Sequence, residues 1–487
     1  MANKKTKKSM QPQEKKVLFA TSEALPYVKS GGLGDVAGAL PKALMADGVE
    51  TRVILPLYSD IPANFHNTMK YVGYTYVPLG WRRQYCGIFE QKYNGVTYYF
   101  IDNEYYFKRK GIYGHNDDGE RFAFFSRAVL EVLPLLGFIP DVIHCNDWHT
   151  GLVPVFLDVF YRDGELRNTK TVFTIHNIEF QGKYDNFVAG DLLGLPEDRR
   201  SLVEYNGCVN YMKGGIECAN AVTTVSPTYA GEIMDPYYSY GLEGILQARA
   251  YKLSGIINGI DTVLFNPQTD GALFAHYDKD TVFDGKRKNK EEVCKMINLS
   301  FNPDRPLIAM VSRLTTQKGL DLLTAVAEEL LAADIQLVIL GTGDWKHETV
   351  LKSLEKSYGN KLRVIIHFSP DMASKLYAAS DIFLMPSKFE PCGLSQMIAM
   401  RYGSIPVVRE TGGLKDSVKP FNKESGEGQG YTFYSYNAHD MLDALWRAIG
   451  DYFYDKDNWT KLINNAMTAD FSWQRSALEY KALYKKI

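Results

Sequence analysis

The chain has 487 residues, of which 45% are hydrophobic and 23% charged, with a formal net charge of −2. That length exceeds one ordinary core and implies two or more domains of a soluble globular protein. The near-neutral balance excludes a general attraction to nucleic acid or to anionic membranes, so partners must be recognised by a site.

The first stretch, 1–15, is lysine-rich but lacks the apolar region of a secretory signal, and reads as a disordered basic tail. "KVLFAT" (16–21) is a buried strand, "GDVAGALPKALMADG" a helix despite Pro41, and "TRVILP" (51–56) the next strand. Tyr-rich alternating segments between about 70 and 107 suggest β-hairpins inserted into the pattern. Strand and helix then alternate again through "PDVIHCND" (140–147), "KTVFTIHN" (170–177) and "NAVTTVSP" (220–227).

A more regular series begins near 305. "PLIAMVSR", "IQLVILGTGD", "LRVIIHFS", "DIFLMPS" and "SIPVVRE" are each followed by a helical pattern. Continuous β-branched runs between amphipathic helices are parallel strands covered on both faces. The expected fold class is α/β, with two Rossmann-like, doubly wound domains facing across a deep cleft. The expected boundaries are 16–257 for the first domain, 258–470 for the second, and 471–487 for a helix packing back toward the first. The six cysteines form no C-x-x-C pair and no ligand spacing, which implies reduced thiols in the cytoplasm. No apolar run reaches spanning length.

Ligands of open α/β sheets bind beyond the carboxyl ends of the strands. In "KSGGLGDV" (29–36), Gly32-Leu33-Gly34-Asp35-Val36-Ala37 fits G-x-G-x-x-G/A. A dinucleotide turn requires those glycines immediately after the first strand, whereas "SEALPYVKS" intervenes. The acidic residue that should end the second strand is also missing, since Glu50 precedes that strand and Asp60 lies beyond it. The glycines still open a helix, whose N–H groups suit an anion. "TGGLKD" (411–416) repeats the arrangement in the second series.

"VSRLTTQKGLD" sets Arg313 at a strand end and Lys318 at the next helix entrance, an Arg fork with a Lys point charge for a diphosphate. Glu390, in "PSKFEPCGLSQMIAM", either caps a helix or holds a sugar hydroxyl. "HCNDWHTG" gathers His144, Asp147 and His149. This is a weak metal signal, and Asp147 suits orienting a hydroxyl beside the flat surface of Trp148. His176 ends a strand ahead of Asn and Gln, and Phe368 stands where a base could stack or where a core could be filled.

Together these residues resemble the bacterial glycogen synthase and plant starch synthase family. Its motifs run in order from "KVLFATSEALPYVKSGGLGDV" to "DFSW". The resemblance implies a GT-B fold and transfer of glucose, with retention, from ADP-glucose to the non-reducing 4-OH of an α-1,4-glucan, with no metal or other cofactor. UDP-glucose as donor, and a non-catalytic glucan-binding protein, are the alternatives. It further implies that Lys29, Arg313 and Lys318 neutralise the diphosphate. Gly31, Gly32, Thr411, Gly412 and Gly413 would offer donors to it. His176 and Glu390 would hold the donor glucose, Asn258 would lie beside it, and Asp147 would lie toward the acceptor. The sequence departs from the family pattern at Ser30 (usually Thr), Lys108 (often Asp) and Phe368 (often Tyr). A glycogen phosphorylase would need a pyridoxal-bearing lysine and a longer chain.

Overall fold

The computed structural model of the chain describes residues 15–487, so the expected tail lies outside the described residues apart from Lys15. Contacts divide the chain into two units. The first holds the described residues up to Thr223, then Ser239–Ser254 and Ser476–Ile487; the second holds Thr224–Tyr238 and Gly255–Arg475. Sequence periodicity suggested one boundary, between 257 and 258. It does not reveal that Thr224–Tyr238 belongs with later residues, to which Thr228 is tied by two 2.7 Å bonds to Asp416.

In the first unit, β1 (Lys16–Ala20) is innermost, and Val17, Leu18, Phe19 and Ala20 expose no surface. After it come β2 (Glu50–Pro56), β3 (Lys70–Leu79), β4 (Arg82–Tyr93), β5 (Val96–Asp102), β6 (Val142–Asn146) and β7 (Lys170–Ile175). A small antiparallel sheet follows, from β8 (Lys183–Tyr184), β9 (Glu204–Tyr205) and β10 (Cys208–Asn210). With β11 (Ala221–Thr224) and β12 (Leu253–Gly255), the main sheet runs β12-β11-β7-β6-β1-β2-β5-β4-β3. The Tyr-rich region is therefore only partly an addition. β5 pairs in parallel with β2 as a full member of the wound sheet, while β3 and β4 extend it in antiparallel fashion.

The second unit has six parallel strands: β13 (Leu307–Val311), β14 (Gln336–Leu340), β15 (Leu362–Ile365), β16 (Ile382–Met385), β17 (Ile405–Arg409) and β18 (Tyr431–Phe433). Their order is β15-β14-β13-β16-β17-β18. The last strand, only three residues long, leaves no apolar run to read in the sequence.

Each sheet reverses its winding at its first strand. β1 lies between β2 and β6, and β13 between β14 and β16. At such a switch point, the loops leaving the two neighbouring strands part and open a crevice. Those loops are Thr21–Gly31 and Asp147 onward in the first unit, and Ser312–Lys318 and Pro386–Gly393 in the second. They contain Lys29, Gly31, Asp147, Arg313, Lys318 and Glu390.

The last helix, Trp473–Lys486, buries Tyr480 and Tyr484. From Ser476 onward it belongs to the first unit, where the Tyr484 hydroxyl lies 2.6 Å from His144 Nδ1 of β6. No helix among the described residues is long and apolar enough to cross a membrane.

Candidate active site

The first unit's half of the site begins where β1 ends. The helix Gly32–Ala46 starts two residues earlier than its apolar pattern indicated, with Gly31 extended at its N-cap. The intervening loop folds back on the helix at Gly38, where a Cβ would lie 2.9 Å from the Leu25 carbonyl oxygen. That close approach brings Lys29 beside the helix start. Its Nζ lies 2.6 Å from Asp35, with both side chains partly exposed. Burial raises the Asp35 carboxyl, and Lys29 opposes the shift. A recess of about 530 Å³, lined by Lys29, Ser30, Asp60, Gly111 and Tyr113 among others, opens beside the lysine.

Glu23, three residues past β1, was not anticipated. It is buried, and its Oε2 accepts the backbone N–H groups of Ser30 and of Gly31, the latter at 3.1 Å. Burial raises its carboxyl above the usual range, against those two bonds. Tyr113 reaches Glu23 Oε1 at 3.2 Å and Ser22 Oγ at 2.7 Å. Gly31 therefore gives its N–H to an internal carboxylate. The Gly32 N–H bonds no described residue, and the space around that glycine is open.

After β6, the three candidates in "HCNDWHTG" diverge. His144 is enclosed, with Nδ1 on Tyr484 and Nε2 on Thr174, each at 2.6 Å. His149 is buried and stacks on Tyr113 at 4.5 Å. Trp148 also turns inward, so tightly that a Cβ on Gly182 would lie 2.4 Å from its ring. It is a packing residue and not the sugar platform its aromaticity suggested. Asp147 alone of the three keeps partial exposure. It adopts a positive φ of 56°, and its Oδ1 accepts the His176 N–H at 2.7 Å and the Asn177 N–H at 3.4 Å. Burial pushes its carboxyl up to about 7, the two N–H groups acting against the rise.

Those bonds fix the start of the loop after β7. His176 Nε2 lies 2.9 Å from Asn146 Oδ1. The Asn146 amide nitrogen donates to the Ala20 and His144 carbonyls, so its oxygen must accept and His176 Nε2 carries the proton. Nδ1 is then a lone-pair acceptor, and burial holds the ring neutral with a pKa near 3.

In the second unit, Lys318 Nζ lies 2.6 Å from Glu390 Oε2, with side chains 13% and 9% exposed. Ser387 Oγ donates to the same oxygen at 3.0 Å. Loops leaving the adjacent strands β13 and β16 thus meet at the switch point. The Arg313 side chain is exposed and bonds no described residue. Phe368, past β15, is 81% exposed, which removes the core-packing alternative. Asn258 is buried, and its Oδ1 has no described partner, leaving an acceptor for something else.

The second glycine pair has another task. A Cβ at Gly412 would lie 2.0 Å from the Glu390 carbonyl oxygen, and one at Gly413 2.2 Å from that of Cys392. The glycines let the Glu390 loop dock against the start of the helix Gly412–Ser417. Gly413 N–H bonds the Glu390 carbonyl at 3.1 Å, and Thr411 N–H bonds that of Arg409 at 2.9 Å. Gly412 N–H and Thr411 Oγ1 both donate to Glu232 Oε1, at 3.0 and 2.8 Å. Burial raises the Glu232 carboxyl, and its Oε2 has no partner among the described residues. The repeated "GGL" turns therefore share a glutamate closing each one, the buried Glu23 in the first and the half-buried Glu232 in the second.

Two doubly wound units, each with polar and cationic residues at its switch point, define a glycosyltransferase of the GT-B class. Residues 16–248 match the family model "Starch synthase catalytic domain" and residues 295–467 match "Glycosyl transferases group 1". The glycogen synthase of Clostridium acetobutylicum is 52% identical over 477 residues, covering 97% of this chain and 100% of that protein. That of Bacillus anthracis is 50% identical over 474 residues, covering 97% and 99%. The catalytic domain of starch synthase IV from Arabidopsis thaliana, in a structure bound to ADP and acarbose, superposes with a TM-score of 0.90 at 34% identity, covering 97% and 99%. A sucrose-phosphate synthase from Thermosynechococcus elongatus shares the fold, with a TM-score of 0.62 at 16% identity. The chain belongs to the glycogen synthase and starch synthase family.

Proposed function

We propose that the chain is a glycogen synthase that transfers glucose from ADP-glucose, with retention, to the non-reducing 4-OH of an α-1,4-glucan, releasing ADP. The observation that carries this reading is the Lys318–Glu390 pair at the β13/β16 switch point, with Arg313, whose side chain bonds no described residue, on the same loop as Lys318.

The roles follow from what each group can do. Arg313 and Lys318, with Lys29, stabilise negative charge growing on the departing phosphate, which is where preorganised cations lower a barrier most. Their three positive charges supply that stabilisation without a metal ion. The Gly32 N–H adds a donor, and Gly412 would add another once Glu232 yields it. Glu390 Oε1, left over from the bonds at Oε2, accepts from a glucose hydroxyl, as does Asn258 Oδ1. His176 offers Nδ1 as an acceptor and does not act as an acid, since its ring is held neutral. Phe368 presents a face for the base. Asp147 lies toward the acceptor.

The bond from C1 to the phosphate oxygen breaks while one from C1 to the acceptor O4 forms on the same face. The O4 proton passes to the departing phosphate oxygen. We place this activity in the cytoplasm, where six unpaired cysteines remain reduced. The test incubates the protein with glycogen and labelled ADP-glucose or UDP-glucose side by side. Label should enter polymer chiefly from ADP-glucose. Incorporation chiefly from UDP-glucose would overturn the donor, and none from either would overturn the function.

A further inference from the structure

The carboxylate of Glu23 is buried behind the turn that opens the helix Gly32–Ala46, and the roles above leave it without a task. Its backbone is fixed to the end of β1, where Thr21 Oγ1 donates to the Glu23 carbonyl at 2.8 Å. The loop that follows closes on itself, Ala24 and Val28 exchanging N–H bonds at 3.0 Å each. It ties back to the helix through the Leu25 N–H on the Gly34 carbonyl, also at 3.0 Å. The Glu23 side chain is 3% exposed, whereas Lys29, Ser30 and Gly32 in front of it are open to solvent. Gly34 leaves room for both parts, since a Cβ there would lie 3.0 Å from the Lys29 stem and 3.3 Å from Glu23 Oε2.

We propose that Glu23 is a positioning residue for glucosyl transfer: it closes the Ser30–Gly31 turn from behind, so that the Gly32 N–H and the Lys29 ammonium are held in place for the departing phosphate. The proposal rests on the reading that this phosphate leaves from a sugar nucleotide. Glu23 is enclosed and acts only through the turn.

Two observations separate this role from simple helix capping. An ordinary cap places a side-chain oxygen on the N-cap residue itself, over the first free N–H groups of the helix. Gly31 stands at that position, and no side-chain oxygen caps the helix. The acceptor comes instead from the other side, through the N–H groups of Ser30 and Gly31, and the Gly32 N–H bonds no described residue. The front of the turn is thereby left open to an anion.

The closure is also costly. A buried carboxylate destabilises a fold unless its bonds offset the lost hydration. The donors to Glu23 are all neutral, namely two backbone N–H groups and the Tyr113 hydroxyl. Asp35 raises its carboxyl further as a like charge, and Glu23 in turn raises that of Asp147. A neutral cap would hold the helix without that cost. The carboxylate adds what such a cap lacks, a strong acceptor that keeps clear of the phosphate's side.

The experiment compares the full chain with Glu23→Ala and Glu23→Gln. Calorimetric titrations with ADP and with AMP are read beside initial rates with ADP-glucose and glycogen. AMP lacks the terminal phosphate that the turn and Lys29 would meet. The Ala variant should lose about 10²-fold in kcat, the scale of one lost preorganised donor, and bind ADP about tenfold more weakly. Its AMP affinity and its KM for glycogen should stay at parental values. An amide oxygen can still accept both N–H groups, so the Gln variant should recover most of both losses. Should the Ala variant melt early, Glu23→Leu, which fills the space without an oxygen, carries the same comparison. Parental kcat and ADP affinity in the Ala variant, equal losses for ADP and AMP, or a Gln variant as impaired as the Ala variant would each overturn the proposal. Because the titrations need no turnover, absence of transfer in the parent would refute the synthase reading while the contrast between ADP and AMP still decides this one.

Discussion

Lys318→Ala separates holding the fold from stabilising the leaving group. The substitution leaves Glu390, whose side chain is 9% exposed, with Ser387 as its one remaining side-chain donor. Breaking a buried ion pair costs about 3–5 kcal/mol, and the surviving hydroxyl bond places this case near the lower figure. For a unit of this size, a loss of about 3 kcal/mol lowers the melting temperature by roughly 6–12 °C. Removing a preorganised charge from a departing phosphate lowers kcat by about 10²–10³. The two losses part company in Lys318→Met/Glu390→Gln, where a neutral pair of similar shape replaces the charged one. Thermal melts should recover most of the lost stability, while initial rates with ADP-glucose and glycogen should stay low. Unchanged turnover in Lys318→Ala, or turnover that returns with stability in the double variant, would refute the role given to Lys318.

The Asp147 carboxyl, lifted by burial from 3.8 to about 7, binds a proton in the folded state that it has lost in the unfolded state. Its contribution to stability is therefore present at low pH and lost as pH rises from about 4 to about 7. Asp147→Asn should remove that decline in melts across this range, and an unchanged slope would contradict the shift. Phe368→Ala should raise the donor KM about tenfold with kcat little changed, since an 81% exposed ring supports nothing else. Gly413→Ala places a methyl 2.2 Å from the Cys392 carbonyl oxygen, so it should displace the Glu390 loop and lower both melting temperature and turnover. Parental values in both measurements would contradict the docking role of that glycine.

Residues that leave a strand at the switch points were legible, because continuous apolar runs mark strand ends and ligands gather there. Lys318, Glu390 and Asp147 were found in this way, and Phe368 by the same rule at the end of the edge strand β15. Glu232 was not, since its partners Thr411 and Gly412 lie some 180 positions along the chain and no local pattern links them. Glu23 sat within the loop that excluded a dinucleotide turn, yet only the fold shows it holding Ser30 and Gly31. Trp148 misled because an aromatic beside a strand end looks the same in sequence whether it turns outward or, as here, under Gly182. The glycines of "TGGLKD" misled similarly, since a glycine needed for close backbone approach and one needed for an anion leave the same letter.

The most direct test of the account follows label from ADP-glucose into glycogen and then digests the product with an exo-enzyme that cleaves only α-1,4 linkages. The account predicts that label enters the polymer and is released almost entirely as maltose. Label that never enters the polymer, or that resists release, would contradict it.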